Sequence, residues 1–339
     1  MATIDDVAQR AGVSKSSVSR VLNGNFEYMS EEMKNKILAA IAEMNYSPNS
    51  LAQSLKKKKT KVIGIILSDI SNPFWAEILK GAQEEANRCG YGIMVSSSNE
   101  DPELERDNIL MLKSRQVDGV IVNTIGNTNE LFEEFIAKKY PFVLLDRLAG
   151  DMKADTVVVN NVNGAKQAIQ YLIDQGHRRI GILLYPTNNK SPRIERLEGY
   201  KQALSINGLP IDESLIKICD QNNGSGIQAT QELLSMPDRP TAIFTTNARL
   251  NLEVLSGAKK AGLRVPTDVS IFGYDDFPWI PLLDPPLSTV AQPAYEMGVK
   301  AVALLIHRLE SKKKMKPQII QLEPKIIIRA SCSSPVKIE

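Results

Sequence analysis

From residue 61 onwards, short apolar segments alternate regularly with amphipathic helical segments, and this alternation constrains the fold most. The apolar segments are VIGIIL, GIMVSS, DGVIVN, FVLLD, TVVVN, RIGILL, TAIFTT and VSIFGY. Helical patterns such as ELERDNILMLKSRQ and GAKQAIQYLIDQG separate them. Apolar strands that alternate with helices predict parallel sheets covered on both faces, with a ligand crevice at the carboxyl ends of the strands. A stretch of about 270 residues is long enough for two such subdomains.

The N-terminal segment has a different pattern, which predicts three short helices. In TIDDVAQRAGVSKSSVSRVLNG, Thr3 and Ser14 are helix caps, and Gly12 ends the first helix. Apolar residues recur at helical spacing in each segment, so the three helices can share a small core. We expect the third helix to begin after Ser30 and the unit to end near MNYSP.

The second of these helices has an outer face suited to DNA. Val18 and Val21 lie on its buried stripe, so Ser16 and Arg20 point away from the core. A short helix with a small polar and basic face can enter a major groove, where Arg20 can bind guanine with two hydrogen bonds. The side chains expected to reach phosphates or base edges are Ser14, Lys15, Ser16 and Ser17. A helical hairpin with a solvated serine face has the same pattern and stays an alternative.

Charge and composition narrow the partners and the compartment. Residues 1–61 hold ten Lys/Arg and six Asp/Glu, whereas the remainder holds 31 and 33, so the N-terminal end favours an anionic partner. No apolar run approaches the roughly 20 residues of a membrane helix, and the N-terminus lacks a secretory pattern. Three widely separated cysteines predict neither a disulfide framework nor a zinc site. We expect a cytoplasmic protein that does not associate with membranes.

Motifs of catalysis are missing from the sequence. The two histidines, His177 and His307, lie in GHRRIG and in a C-terminal helical pattern, away from any nucleophile or metal-like cluster. There is no phosphate-binding loop and no nucleophile elbow, and GYG at Gly90 precedes a strand instead of following one. We therefore expect no catalytic residue, no metal and no cofactor.

Three motifs together resemble the LacI/GalR family of bacterial transcription regulators: TIDDVAQRAGVSKSSVSRVLNG, NYSPNSLAQSL and TKVIGIILSDISNPFW. The similarity continues through VNNVNGAKQAIQYLIDQGHRRIGIL and AGLRVPTDVSIFGYDD. The resemblance implies an N-terminal all-α helix-turn-helix domain and an α/β effector domain, similar to periplasmic binding proteins, of two parallel-sheet subdomains.

The same resemblance implies the domain boundaries. The helix-turn-helix domain is expected at 1–46, a hinge helix or linker at 47–60, and an effector-binding and dimerisation domain at 61–339. One subdomain is expected to comprise about 61–160 and 292–320, and the other about 161–290 and 322–332. Three chain crossings are expected near Asn160–Val162, Ser288–Gln292 and Ile320–Pro324.

The resemblance also places an effector pocket between the two subdomains. Arg196 matches an arginine that binds ligand hydroxyls or a carboxylate, and Asp275 matches an aspartate that accepts from sugar hydroxyls. The complete set of implied pocket residues is Phe74, Trp75, Asn123, Asp146, Arg196, Asn247, Asp275 and Gln292.

Structural roles compete with some of these assignments. Asp146 can pair with Arg147 at the end of a strand, Trp75 can belong to the core, and Asp276 can orient a loop. Arg193 can reach the ligand or lie on the surface. The sequence departs from the family after the pocket asparagine, Asn247, where an aspartate is common and Ala248 and Arg249 stand instead. The Arg249 cation either favours an acidic effector or only faces solvent.

The segment SPNSLAQSLKKKK resembles the hinge helix of the family. It is too short for a stable isolated helix, so it is expected to fold on a DNA duplex beside its copy from a second subunit. Leu55 is implied to wedge into the minor groove. The further DNA contacts implied are Thr3, Asn23, Asn49, Ala52 and Ser54. Gln53 stands where arginine is common, and residues 56–59 are lysines that can offset that loss.

These observations predict a homodimeric, effector-responsive DNA-binding regulator, most simply a repressor of a carbohydrate or sugar-acid catabolic operon. Its two helix-turn-helix domains would bind the halves of a pseudo-palindromic operator. The link from Asn23 to Ser30, with Phe26 and Tyr28, resembles family members that act on sugar-acid catabolism. The alternatives are a global catabolite regulator with a phosphoprotein partner, a solute-binding protein of transport, and an α/β enzyme such as a sugar kinase or dehydrogenase.

Overall fold

The computed structural model divides the chain into two units, Met1–Lys61 and Val62–Glu339. It describes residues 2–27, 29–46, 59–126, 129–221, 224–311 and 315–335. The expected hinge residues Asn49, Ala52, Gln53, Ser54 and Leu55 lie outside the described residues, as does Tyr28.

The first unit contains the three predicted helices, α1 (Ile4–Ala11), α2 (Lys15–Leu22) and α3 (Glu31–Glu43). The predicted caps are confirmed, because the side chains of Thr3, Ser14 and Ser30 each accept a hydrogen bond from a backbone amide of the first helical turn. Gly12 ends α1 in the left-handed region at φ 66°. The apolar faces of the three helices share one small core, whose buried members are Val7, Ala8, Val18, Val21, Ile37 and Ala40.

The second unit alternates strands with helices, as its sequence predicts. Its strands are β1 (Val62–Leu67), β2 (Gly92–Ser97), β3 (Gly119–Val122), β4 (Phe142–Leu145), β5 (Thr156–Val159), β6 (Ile180–Leu184), β7 (Ile216–Ile218), β8 (Ala242–Thr245), β9 (Ser270–Tyr274), β10 (Ser288–Ala291), β11 (Ile319–Leu322) and β12 (Lys325–Ile327). Its helices are α4 (Pro73–Arg88), α5 (Pro102–Ser114), α6 (Asn129–Lys138), α7 (Asn161–Asp174), α8 (Ser191–Ile206), α9 (Ser225–Leu234), α10 (Ala248–Lys260) and α11 (Ala294–Glu310).

These strands form two six-stranded sheets, in the orders β11-β5-β4-β3-β1-β2 and β12-β10-β9-β8-β6-β7. Every neighbouring pair is parallel except β10 and β12, which run antiparallel. The predicted fold class of two parallel-sheet subdomains is therefore confirmed. The chain passes between the sheets after β5, after β10 and after β11.

Both histidines have structural surroundings. The imidazole of His177 is buried and bridges the Thr241 hydroxyl (2.8 Å) and the Ser333 carbonyl oxygen (2.9 Å), and burial lowers its pKa. This bridge attaches the segment after β12 to the loop before β8. His307 lies exposed near the end of α11.

Helices α4 and α11 pack with their backbones in direct contact. A Cβ atom on Gly298 would overlap the carbonyl oxygen of Ile78, and one on Gly81 would overlap that of Tyr295. Glycine is needed at both positions because no side chain fits between the two helices. This contact fixes α4, whose first turn carries Phe74 and Trp75.

We predict that Gly298→Ala lowers the free energy of unfolding by about 1–3 kcal/mol, because the added methyl forces the two helix backbones apart. The loss would occur although alanine has the higher intrinsic helix propensity, by up to about 1 kcal/mol. Urea denaturation followed by circular dichroism measures the change. Lys300→Ala, on an exposed site of the same helix, is the control and is expected to change stability by at most about 0.5 kcal/mol. A Gly298→Ala variant as stable as the parent would contradict this account of the packing.

Candidate functional site

The outer surface of α2 presents a guanidinium group and a cluster of hydroxyls. Arg20 is exposed, and no hydrogen bond to its guanidinium is formed within residues 2–27 and 29–46. At the start of the helix, the Ser14 Oγ lies 2.7 Å from the Ser16 Oγ and 2.9 Å from the Ser17 Oγ. Val18 and Val21 are buried on the opposite side. The surface therefore offers one cationic fork and several small hydrogen-bonding groups to a partner.

Three of the expected DNA contacts also have roles within this unit. Thr3 forms a reciprocal capping box with Asp6, and the Asn23 Nδ2 donates to the Ser19 carbonyl oxygen at 2.6 Å. Lys15 pairs with Asp5 at 2.7 Å. Both members of this pair are well exposed, and such pairs contribute about 0–1 kcal/mol, so Lys15 can exchange Asp5 for a phosphate.

In the second unit, a cavity of about 660 Å³ opens between the two sheets, at the carboxyl ends of their strands. Its size suits a small molecule. Most of the implied pocket residues line it: Phe74, Trp75, Asp146, Arg196, Asn247, Asp275 and Gln292. Asn123 does not line it; it lies fully buried behind Asp146, to which its Nδ2 donates at 3.3 Å. Asn123 therefore positions a wall residue instead of facing the cavity.

Arg196 is buried and held from several sides. Its Nε donates to the Asn161 Oδ1 (2.9 Å), and its Nη1 donates to the Thr246 carbonyl oxygen (2.7 Å). The guanidinium carbon lies 3.8 Å from the centre of the Tyr274 ring, within cation–π distance. These contacts fix the orientation of the group without neutralising its charge.

Asp146 and Asp275 are buried carboxyl groups at the ends of β4 and β9. Both have positive φ angles, 67° and 73°, which turn the chain sharply as each strand ends. Burial raises the pKa of both groups, and the charge of Arg196 partly opposes that rise. Asp275 accepts from the Gln292 Nε2 at 2.6 Å. Both carboxyl groups therefore offer fixed oxygen atoms to a ligand that carries hydroxyls.

The structure distinguishes the alternative structural roles of Asp146 and Asp276. Arg147 forms its ion pair with Glu100, at 2.5 Å, and acts on Asp146 only through its charge, which lowers the pKa of that carboxyl group against the effect of burial. Asp276 has the loop-orienting role. It accepts from Arg329 at 2.6 Å and from the Thr289 hydroxyl at 2.7 Å, and these contacts secure the loop after β9.

Unpartnered polar atoms also border the cavity. In the described part of the chain, the Gln292 Oε1 and the Tyr185 hydroxyl are buried and form no hydrogen bond. Buried polar atoms are nearly always satisfied in native proteins, so a polar molecule in the cavity is the natural partner for both. Trp75 is 3% exposed and contacts the edge of Phe74, with ring centres 5.0 Å apart, so it serves the core and the cavity wall together.

Several residues that line the cavity could not be identified from the sequence. Glu100, Tyr185, Lys190 and Trp279 line the cavity but belong to no motif, and only the fold brings them together. Arg193 and Arg249 also line the cavity. The side chain of Arg249 is exposed and lies 3.5 Å from Glu253.

The described ranges contain no cluster of His, Cys, Asp and Glu side chains that could hold a metal ion. In the same ranges, no helix combines the length and the apolar character needed to cross a bilayer.

Comparison with known proteins gives two matches to family models. Residues 3–49 match the model of bacterial regulatory proteins of the lacI family, and residues 169–332 match that of the periplasmic binding protein-like domain. The chain is 37% identical over 333 residues to the HTH-type transcriptional regulator KdgR of Bacillus subtilis, covering 97% of each chain.

Solved structures agree with these matches. A crystal structure of the lac repressor dimer bound to operator and the anti-inducer ONPF aligns with a TM-score of 0.87 at 26% identity, over 98% of this chain and 99% of that one. A complex of the transcriptional regulator CelR with cellobiose aligns with a TM-score of 0.74 at 29% identity, over 98% and 100%.

We predict that a ligand filling the cavity changes the intrinsic tryptophan fluorescence, because both tryptophans of the chain, Trp75 and Trp279, line it. Trp279 is 38% exposed and Trp75 only 3%, so Trp279 loses more contact with water and should account for most of the change. The Trp75→Phe and Trp279→Phe variants each leave one reporter, which assigns the signal. A ligand that binds tightly without altering either tryptophan would place its site elsewhere.

Proposed function

The chain belongs to the LacI family of bacterial regulatory proteins, and from that premise we propose how its own residues bind an operator and sense an effector. It is a DNA-binding transcriptional regulator. A small effector controls its affinity for DNA, as in the repressors to which it is similar. The match of residues 3–49 distinguishes it from a solute-binding protein of transport, which needs no helix-turn-helix domain. Because its partner is bacterial operator DNA, we place it in the cytoplasm.

The exposed face of α2 is the proposed recognition surface. Arg20 would bind a guanine edge, and the hydroxyls of Ser14, Ser16 and Ser17 would contact phosphates or base edges. A homodimer would present two such helices to the halves of a pseudo-palindrome. The lac repressor dimer bound to its operator supports this arrangement by similarity. Segment 47–60 is proposed to act as the hinge, with Leu55 as the minor-groove wedge.

The cavity between the sheets is the proposed effector site. The observation that supports this most strongly is the convergence of buried Arg196, Asp146 and Asp275 beside the unpartnered Gln292 Oε1. A molecule with several hydroxyls can satisfy such fixed donors and acceptors, and the CelR–cellobiose complex supports a sugar-like ligand by similarity.

Effector control follows from the position of the cavity between two subdomains. A ligand that contacts both walls binds some relative orientations of the two sheets more tightly than others. It therefore shifts their populations by its difference in affinity. We propose that this shift changes the DNA affinity of the dimer.

We predict that Arg20→Ala weakens binding to the specific operator by about 1–3 kcal/mol and relaxes the preference for guanine at one position of each half-site. Footprinting and gel-shift titration on the DNA upstream of the neighbouring operon measure both effects.

The matched control for this test is Arg10→Ala, since Arg10 is engaged with Glu43 at 2.8 Å. Its removal should leave base preference intact. An Arg20→Ala variant with the footprint and the base preference of the parent would exclude α2 as the recognition helix.

We predict that Arg196→Ala abolishes the response to effector while DNA binding persists in at least one state, because the cavity loses its fixed guanidinium. Sugars, sugar acids and sugar phosphates are titrated into the same gel-shift assay. Arg264→Ala, at an exposed ion pair with Asp268, provides the control. If Arg196→Ala responds to the same effector concentration as the parent, the effector binds somewhere else.

A further inference from the structure

Four of the cationic side chains that line the cavity come from both of its walls. Arg147 follows β4 in the first sheet, whereas Lys190, Arg193 and Arg196 lie at the start of α8 beside the second. One carboxylate, that of Glu100, pairs with both Arg147 and Lys190. The Glu100 carboxylate therefore pairs with two of the four cations, and this region of the cavity accommodates a carboxylate.

The other two cations, Arg193 and Arg196, have no such partner. Within the described residues, neither lies within 4.0 Å of an Asp or Glu oxygen. The Arg193 Nη1 donates to the Pro186 carbonyl oxygen at 2.8 Å, and the guanidinium carbon lies 5.6 Å from the centre of the Tyr185 ring. Since the two arginines are three residues apart on α8, they lie on the same face of that helix.

The electrostatics at Arg193 favour the arrival of an anion. Burial and then the charges of Arg147 and Arg196 lower the pKa of Arg193 to about 10, so the group stays protonated at neutral pH. The charge of Asp146 opposes this lowering only in part. Partly buried positive charge of this kind is costly until an opposite charge joins it.

The Tyr185 hydroxyl is a second and independent sign of a ligand. The side chain is 5% exposed and borders the cavity, and its hydroxyl forms no hydrogen bond in the described part of the chain. Burial raises the pKa of the phenol, so the hydroxyl remains a donor. The Tyr185 ring lies beside the Arg193 guanidinium, and a hydroxyl donor together with that guanidinium matches the oxygens of an acidic group.

We propose that the effector carries one acidic group, a carboxylate or a phosphoryl group, which binds to Arg193 and Arg196 and accepts a hydrogen bond from the Tyr185 hydroxyl. The hydroxyl-bearing remainder of the effector contacts Asp275 and Gln292. This assignment rests on the proposed function, since it specifies the ligand class of the same cavity. A neutral sugar would leave Arg193 without an opposite charge and the Tyr185 hydroxyl without a hydrogen-bond acceptor.

The test uses the full-length protein and probes matched in all but the acidic group. The pairs are D-gluconate with D-glucitol, D-glucuronate with D-glucose, and D-glucose 6-phosphate with D-glucose. Affinities are measured by calorimetry and by tryptophan fluorescence. At least one acidic probe should bind roughly 10- to 100-fold more tightly than its neutral partner, which is the range expected for charge-assisted hydrogen bonds. The member that binds distinguishes a carboxylate from a phosphoryl ligand.

Substitutions then assign the acidic group to its residues. Arg193→Gln should weaken the acidic probe by roughly 10- to 100-fold and the neutral partner by far less. Tyr185→Phe, which keeps the ring and removes the hydroxyl, should weaken only the acidic probe. Arg264→Gln is the control outside the cavity, because Arg264 is exposed and pairs with Asp268. It should change the affinity by less than about 3-fold.

Three results would overturn the proposal: neutral probes that bind as tightly as acidic ones, no binding by any acidic probe, or an acidic probe that Arg193→Gln leaves unaffected. These failures are distinct from failure of the proposed function. A neutral sugar that releases the operator would keep effector control and remove only the acidic group. An operator footprint unchanged by Arg20→Ala would instead contradict the assignment of DNA binding.

Discussion

The effector unit depends most on the burial of one guanidinium group. Arg196 cannot lie at this depth unless its N–H groups are satisfied, and the structure meets that need with the Asn161 side chain, the Thr246 carbonyl oxygen and the Tyr274 ring. Asn161 is the first residue of α7, directly after the first chain crossing, and its Oδ1 also accepts from the Tyr274 hydroxyl at 3.0 Å. One charged group therefore joins the crossing, the end of a central strand and the cavity wall.

The two walls of the cavity are also joined by charge. Glu100 follows β2 in the first sheet and Lys190 precedes α8 beside the second, so their ion pair bridges the subdomains. Nearby, the Leu148 amide donates to the Ser191 hydroxyl at 3.0 Å across the same gap. Both bridges lie beside the proposed site of the acidic group. A ligand that enters there changes the environment of contacts that hold the two walls together.

Local patterns of sequence predicted the repeating parts of the structure. The long apolar strands and the capped N-terminal helices are evident because burial on both faces and capping each leave a recognisable pattern. Strand β7 has only three residues and is not buried, and β11 and β12 lie at sheet edges with mixed exposure, so their sequences have no comparable signal. Strand β10 was expected only as part of a crossing, although it also completes a sheet.

Cavity residues were predictable where the resemblance to the family assigns them, as for Arg196 and for Asp275 in AGLRVPTDVSIFGYDD. Asn123 shows the limit of such transfer, because its motif places it at a strand end without fixing the direction of the side chain. Lys190 and Tyr185 show that a residue outside the family motifs cannot be assigned to the cavity from sequence. They reach the cavity from a loop and from the residue after β6, and their proximity to Arg193 arises only from tertiary packing.

The order in which the chain enters the two sheets has a consequence for protein synthesis. The first sheet receives its edge strand β11 from residues 319–322, and the second receives β12 from residues 325–327. On the ribosome, each sheet therefore waits for its final strand until nearly all of the chain has been translated, whereas the three N-terminal helices can pack much earlier. A nascent chain would therefore hold a packed DNA-binding unit before either sheet of the effector unit is complete.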